Sequence, residues 1–534
     1  MIRCNYVIIV VICLLLLQGC SGGELPVDDQ PQMGTEAGGD PVAVVVPPEE
    51  GRFEEPGVGA AFPLDSYPEP ENGGEEQVKQ INNNGELYTL GPFFGVLPQI
   101  EWSPEGKKLA LSGYNDGYGI WILDYASGRF ERVLTISTQQ EAGFIGVQLL
   151  GWSPGGGELY YAVDGPQASS PYSGSTGISI GRVVLSAAEE MSVQEVAWLS
   201  GGQIGLSQLK LTAEGSLLVH RSGELWRIDV ETGEKELLQM GLPQRNGLFQ
   251  VSFSPSGRYV VYQQETGDKN SLFLLDTRTG QGEDVIADAD YHFFPVWSHT
   301  GEKVAFLTGV RQEEGYDLYR GEDGALPPAT FFQVFSLQDK VLTRYRVPGR
   351  QVGAPIWSPD GKRLAFLSAR WEEGDTNPWG ADFSWEGLWE VELESGELQL
   401  LTPLKGEWFS LAGWSPTGEQ IYLYRYEADG SSSLLVVDRR EQEVLFTIQE
   451  AIDEPVLWHK GSIIVGRVLE DVANGELYTE IYTVDAGGRA TQLTNNGGWK
   501  NSFQCWADRM VFVRGDTTDP SYPLYVEILS LSED

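Results

Sequence analysis

The stretch Pro355-Ile-Trp-Ser-Pro-Asp-Gly-Lys-Arg-Leu-Ala-Phe-Leu-Ser368 constrains this chain more than any other, because it recurs. It reads as a strand ending at Trp357, a tight turn over Ser358-Pro-Asp-Gly361, and a second strand from Leu364 to Ser368. Proline at the second position presets φ for the turn, and glycine at the end supplies the positive φ that closes it. The short apolar run after the turn is the pattern of a buried strand. One such hairpin cannot bury both of its faces, so the copies must cover one another.

Aligned on the aromatic before the turn, the copies are Trp102-Ser-Pro-Glu-Gly106, Trp152-Ser-Pro-Gly-Gly156, a degenerate Leu211-Thr-Ala-Glu-Gly215, Phe253-Ser-Pro-Ser-Gly257, Trp297-Ser-His-Thr-Gly301, Trp357-Ser-Pro-Asp-Gly361 and Trp414-Ser-Pro-Thr-Gly418. Two eroded copies follow, Trp458-His-Lys-Gly461 and Trp506-Ala-Asp508, and successive steps run from 42 to 60 residues. A third strand follows each hairpin, as in Ile120-Trp-Ile-Leu-Asp124 or Leu272-Phe-Leu-Leu-Asp276, and a fourth closes the unit. This period and content predict the four-stranded blade of a β-propeller. The pattern resembles the TolB-like, WD40-like (PD40-type) propeller repeat over roughly residues 85 to 530. It departs from TolB in carrying no α/β domain ahead of the repeats, so the partner interactions of TolB are not implied. The fold expected is all-β, a single propeller of eight or nine blades over 81–534. After Trp506 only three strands can be read, and Glu86-Leu-Tyr-Thr-Leu90 is expected to supply the fourth and close the ring.

The N-terminus is a different material. One positive charge at Arg3 precedes an unbroken apolar run from Val7 to Leu17, too short to span a bilayer comfortably and suited to a signal peptide over 1–19. Leu17-Gln-Gly-Cys20 resembles the bacterial lipobox, which implies lipidation of Cys20; Gln18 departs from its usual small residue. Residues 20–80 are rich in Gly, Pro and acid, with Arg52 and Lys79 as the basic residues, and read as a disordered tether. Once Cys4 and Cys13 are removed and Cys20 acylated, Cys505 alone remains, so no internal disulfide is expected. The formal charge of −41 excludes a nucleic-acid partner, whose phosphates demand a basic patch. Together these features predict a monomeric extracytoplasmic lipoprotein, on a cell surface or in a periplasm, attached to a bacterial membrane through Cys20.

Chemistry-bearing motifs are sparse. Gly151-Trp-Ser-Pro-Gly155 matches the nucleophile pattern of serine hydrolases, but it falls on a blade turn rather than between a strand and a helix. Of the four histidines, none stands at metal-ligand spacing from another. Some TolB-like propellers are polysaccharide lyases with a histidine-rich metal site, and this chain lacks the histidines for one. His292 is the histidine placed to reach a central channel, against a packed role. Asp375, Asn377 and Asp382 offer oxygen ligands for a structural calcium ion, with a solvated loop as the plainer reading; no other cofactor is expected.

The long insertions fall between second and third strands: Asp164 to Thr176, Gly309 to Thr330, Arg370 to Gly387, Leu469 to Gly475 and Arg514 to Pro523. In a propeller these loops and the blade-to-blade connections share one face, with the Ser-Pro-x-Gly turns on the other. The insertion over 370–387 carries Trp371, Trp379, Phe383 and Trp385 among polar residues. Such rings either form a binding platform or fold inward and pin the loop. The function expected is non-catalytic binding of an envelope protein, peptide or glycan through this face. The alternative is a glycan-acting envelope enzyme using a pair of channel carboxylates. A protease propeller of the prolyl-oligopeptidase kind would need a hydrolase domain, which the repeats leave no room for here.

Overall fold

The computed structural model describes residues 76–531, except 83–84, 137–145, 167–175, 186–190, 201–208, 222, 243–250, 267–268, 289–290, 310–328, 372–382, 406–407, 428, 453–455 and 473–474. Among the described residues all regular structure is antiparallel strand, and the strands form nine blades in sequence order. Blade 1 runs from Gln99–Trp102 to Arg129–Ile136 and blade 2 from Gly146–Trp152 to Met191–Ser200. Blades 3 and 4 open on Leu209–Leu211 and Ser252–Phe253; blades 7, 8 and 9 open on Trp408–Trp414, Leu457–His459 and Trp499–Trp506. The three eroded copies, at Leu211, Trp458 and Trp506, each build a blade, which fixes the count at nine. Blades 5 and 6 share one 17-residue strand, Val341–Trp357. Its first part pairs with Ala329–Ser336 as the outer strand of blade 5, and its last part pairs with Arg363–Trp371 as the inner strand of blade 6.

The ring closes as expected. Gly85–Phe93 joins the strands Leu524–Ser530, Arg509–Gly515 and Trp499–Trp506, Leu87 pairing Leu529 and Leu90 pairing Val526. A further strand, Glu76–Asn82, pairs outside it, so regular structure begins inside the stretch read as tether. The physical reason is local: a two-residue link lets these seven residues satisfy an otherwise open backbone edge.

Among the described residues no single core runs through the ring. Nine buried apolar clusters lie one at each seam between neighbouring blades; at the closing seam Leu90 and Phe93 from the N-terminal strand meet Trp121, Leu109, Val511 and Val526. The repeat residues explain how the seams hold. The indole of Trp152 donates to the carbonyl of Glu101 in the preceding blade (3.1 Å), Trp297 to Ser252 (3.1 Å), Trp357 to Val296 (3.0 Å) and Trp414 to Ile356 (3.3 Å). Leu211 and Phe253 have no such donor. At the closing seam Gln504 Nε2 donates to Ile100 (3.1 Å) and Arg509 to Gly106 (2.8 Å) instead.

The turn serine is equally specific. Its hydroxyl, buried in all but the half-buried Ser153, accepts the amide five residues on, at 2.9–3.1 Å in Ser103, Ser153, Ser254, Ser298, Ser358 and Ser415, and so replaces water inside the turn. Ser153, of the hydrolase-like motif, does the same as the others. The turn glycines lie at positive φ, and Gly106 also lies so close to Trp506 that a Cβ there would fall 2.2 Å from the ring. The third strands of blades 1, 3, 4, 6 and 7 end in a carboxylate that caps the next turn, as Asp124 does for Ser127 and Asp229 for Thr232. Asp124 also takes the ammonium of Lys108 at 2.7 Å, and this bond first, with the Ser127 bonds, holds its pKa down to about 2.

Two outcomes follow from this packing. Trp357→Phe keeps most of the ring but strands a buried carbonyl, and should cost about 1–2 kcal/mol by urea unfolding. Trp102→Phe should cost less, since the Trp102 Nε1 has no partner to lose; equal losses would show that the indole bond does not hold the seams. For Asp124, the folded pKa lies below the unfolded one, so its stabilisation is present above about pH 4 and is lost as pH falls through about 2. The melting difference between wild type and Asp124→Asn should therefore be full at pH 6 and vanish near pH 2.

Candidate functional site

Inner strands run from the loop-bearing face toward the turn face. The start of a first strand, the end of a second and the start of a third therefore all lie at the loop face. At blades 8 and 9 these positions carry charges that are buried. Lys500, the second residue of Trp499–Trp506, is fully buried; its ammonium donates to the carbonyls of Thr479 and Gly497 (both 2.6 Å) and lies 3.2 Å from Glu480 Oε2. Glu480, 1% exposed, accepts the Gly497 amide (2.8 Å) and the Thr494 hydroxyl. Glu527, also 1% exposed, accepts Arg514 Nε (2.6 Å) and the amide of Asn496 (2.9 and 3.1 Å). Burial pulls the pKa of Lys500 down, and neighbouring Glu480 opposes that pull. Two cations, two anions and the carbonyls at the ends of two blades are thus tied into one network under the loop face.

The loops above it are held by their own bonds and present apolar side chains to solvent. In the loop 516–523, Asp516 accepts the amide and hydroxyl of Thr518 (2.9 and 2.6 Å), Asp519 accepts those of Ser521 (2.9 and 2.7 Å), and the Asp516 amide donates to the carbonyl of Pro523 (3.0 Å). These bonds hold Tyr522 at φ +47°, a left-handed conformation unusual for an aromatic residue, and the residue is 57% exposed. In blade 8 the Gly475 amide donates to Asp471 (2.7 Å) at a loop whose Val472 is fully exposed, with Leu477 at its base. The connection from blade 9 to blade 1 adds exposed Val96 and Leu97.

The residues singled out from sequence fall elsewhere. Trp371 ends its strand, and its backbone pairs with that of Phe383 at the start of Phe383–Glu392. The side chains of both, all of Trp379, and Cys20, Asp375, Asn377 and Asp382 lie outside the described residues. Trp385 is placed inward: it is 8% exposed and packs edge-on against Trp408 (5.8 Å) and Phe409 (5.5 Å) in the seam between blades 6 and 7. It is the inward pin weighed against a platform, because a ring filling a seam has no face left for a ligand. His292 is likewise packed, bonded to Thr308 (3.2 Å) and Asp288 (3.0 Å) rather than turned to a channel. Cys505 is half-buried, its thiol pushed up to about 12 by burial. The described inner strands carry one carboxylate, Glu101, whose pKa burial raises.

Geometry and repeat together define the class: a nine-bladed β-propeller in which each copy of the repeat builds one blade. No family model matches the sequence, and no curated protein matches it. Among solved structures the chain is similar to TolB from Acinetobacter baumannii, at 13% identity over 60% of this chain and 78% of that one, with a TM-score of 0.29. It is also similar to BamB from Moraxella catarrhalis, at 11% identity over 70% and 94% of the two chains with a TM-score of 0.35. An oligogalacturonate lyase in complex with manganese aligns at 14% identity over 68% and 96%, with a TM-score of 0.34.

The buried network has a measurable signature. Lys500→Met leaves Glu480 buried without its cation and should cost about 3–5 kcal/mol in urea unfolding. Adding Glu480→Gln should recover part of that loss, because the uncompensated charge is then gone. A double variant no more stable than the single one would show that the two groups do not act as a pair.

Proposed function

We propose that this chain is an exported, lipid-anchored binding protein that offers the loop face of its propeller to another macromolecule of the bacterial envelope. The observation that carries the reading is the contrast between the two faces. One is closed by short, internally bonded turns; the other bears the insertions, and at blades 8, 9 and 1 it exposes apolar side chains on loops fixed from below. Rigid loops on a rigid scaffold are where binding residues concentrate, because little ordering entropy is lost on docking. Acylated Cys20 would hold the chain at the membrane, and the acidic stretch after it would keep the propeller clear of that surface. The sequence of the first twenty residues supports this.

Glycan cleavage by channel carboxylates is less well supported. It needs two acids with separate roles, and Glu101 stands alone on the described inner strands.

Two measurements test the reading. Cells fed a palmitate analogue should label the wild type and not Cys20→Ser; equal labelling would remove the anchor from the proposal. A photo-crosslinking amino acid placed at Tyr522 or Trp379 should trap an envelope macromolecule, and the same group at Asp360 on the turn face should not. Trapping from the turn face alone would overturn the assignment of the face.

A further inference from the structure

The exposed large apolar side chains divide into two sets. Val193, Leu237, Met240, Val341, Val444 and Leu445 are spread, one or two to a strand, over the outer strands of blades 2, 3, 5 and 7. Val96, Leu97, Val472, Leu477 and Tyr522 all belong to loop-face segments of three consecutive blades, 8, 9 and 1. Single exposed hydrophobes are ordinary; a cluster on neighbouring loops marks an interaction site.

The charges in these segments have one sign. The second-to-third-strand loops of blades 1, 8 and 9 carry Asp116, Glu470, Asp471, Glu476, Asp516 and Asp519, and neither they nor the connection 94–98 contain a lysine or arginine. Of the cations nearby, Lys500 and Arg514 lie beneath, bonded to Glu480 and Glu527, and Arg132 is tied to the carbonyls of Asn115 and Gly117. The surface above is therefore apolar at its contact points and negative around them. Tyr522 supplies the anchor. An aromatic ring held at positive φ, where glycine would sit without strain, is a poor choice for stability and a good one for presenting a rigid contact.

Resting on the binding reading above, and going further, we propose that the loops of blades 8, 9 and 1 dock a cationic, amphipathic polypeptide segment of another protein. Its apolar residues would cover Tyr522, Val472 and Leu97, and its lysines or arginines would lie against the surrounding carboxylates. A neutral apolar partner would add to the desolvation of those carboxylates and offer no opposite charge in return, and an anionic one would be repelled.

The test uses the full chain and a fluorescein-labelled amphipathic Leu/Lys peptide, read by anisotropy at physiological ionic strength. Tyr522→Gly combined with Val472→Ser should weaken binding about tenfold or more while leaving the melting temperature in place, since glycine relieves the φ strain. Leu237→Ser combined with Met240→Ser, on the outer strands, should leave affinity unchanged. A Ser/Lys peptide of equal charge should bind at least about tenfold more weakly than the Leu/Lys one, as should a Leu/Glu peptide. Equal binding of the Ser/Lys peptide, or equal loss in the outer-strand variant, would overturn the proposal by reducing the effect to net charge. Envelope crosslinks from Trp379 but none from Tyr522 would overturn it too, while leaving the loop-face binding reading intact.

Discussion

A ring of blades stands or falls by how each blade grips the one before it, and at four of the nine seams of this ring the grip includes a single directed indole bond. The tryptophan that ends an inner strand fills the seam with apolar surface and donates its ring N–H to a carbonyl of the preceding blade. Apolar packing alone is non-directional and would let blades slide; a hydrogen bond aimed at one carbonyl fixes the offset between neighbours. The buried serine hydroxyl does the same work within the hairpin, and the glycine lets the hairpin turn and approach its neighbour. The tripartite motif is thus a set of positional constraints, one for the seam, one for the turn and one for the close approach.

This is why the fold could be read from the chain. Each motif residue meets a local demand, so it leaves a local mark that repeats. Even the copies without tryptophan remained legible, because Phe253 and Leu211 keep the apolar volume while giving up the hydrogen bond. The outermost strand, Glu76–Asn82, was not visible: it belongs to no repeat and follows an acidic, Pro- and Gly-rich stretch, and what stabilises it is an edge made by residues further on.

The site was less legible, for a physical reason. Lys500 looks like any lysine at the start of a strand; its burial arises from Thr479, Glu480 and Gly497 of the preceding blade and the connection after it. Tyr522 lies in a stretch of turn-forming residues, and its left-handed backbone is imposed by the loop rather than written in its type. Trp385, the more conspicuous residue in sequence, sits in a seam where large rings are needed for packing. Aromatic content marked where the chain inserts residues, but orientation decides which ring meets solvent, and orientation is a property of the assembled ring.

The shared strand Val341–Trp357 has a mechanical consequence. Elsewhere a blade ends, the chain crosses, and the next blade begins, so each joint can flex by bending a connection and shearing side chains. Between blades 5 and 6 the backbone ladder continues from one sheet into the other, and any tilt there must distort extended chain. The nine blades therefore articulate at eight joints and one stiff plate. Breathing of the ring is displaced away from that plate, toward the blade where Gly85–Phe93 and Leu524–Ser530 are joined by hydrogen bonds rather than by backbone.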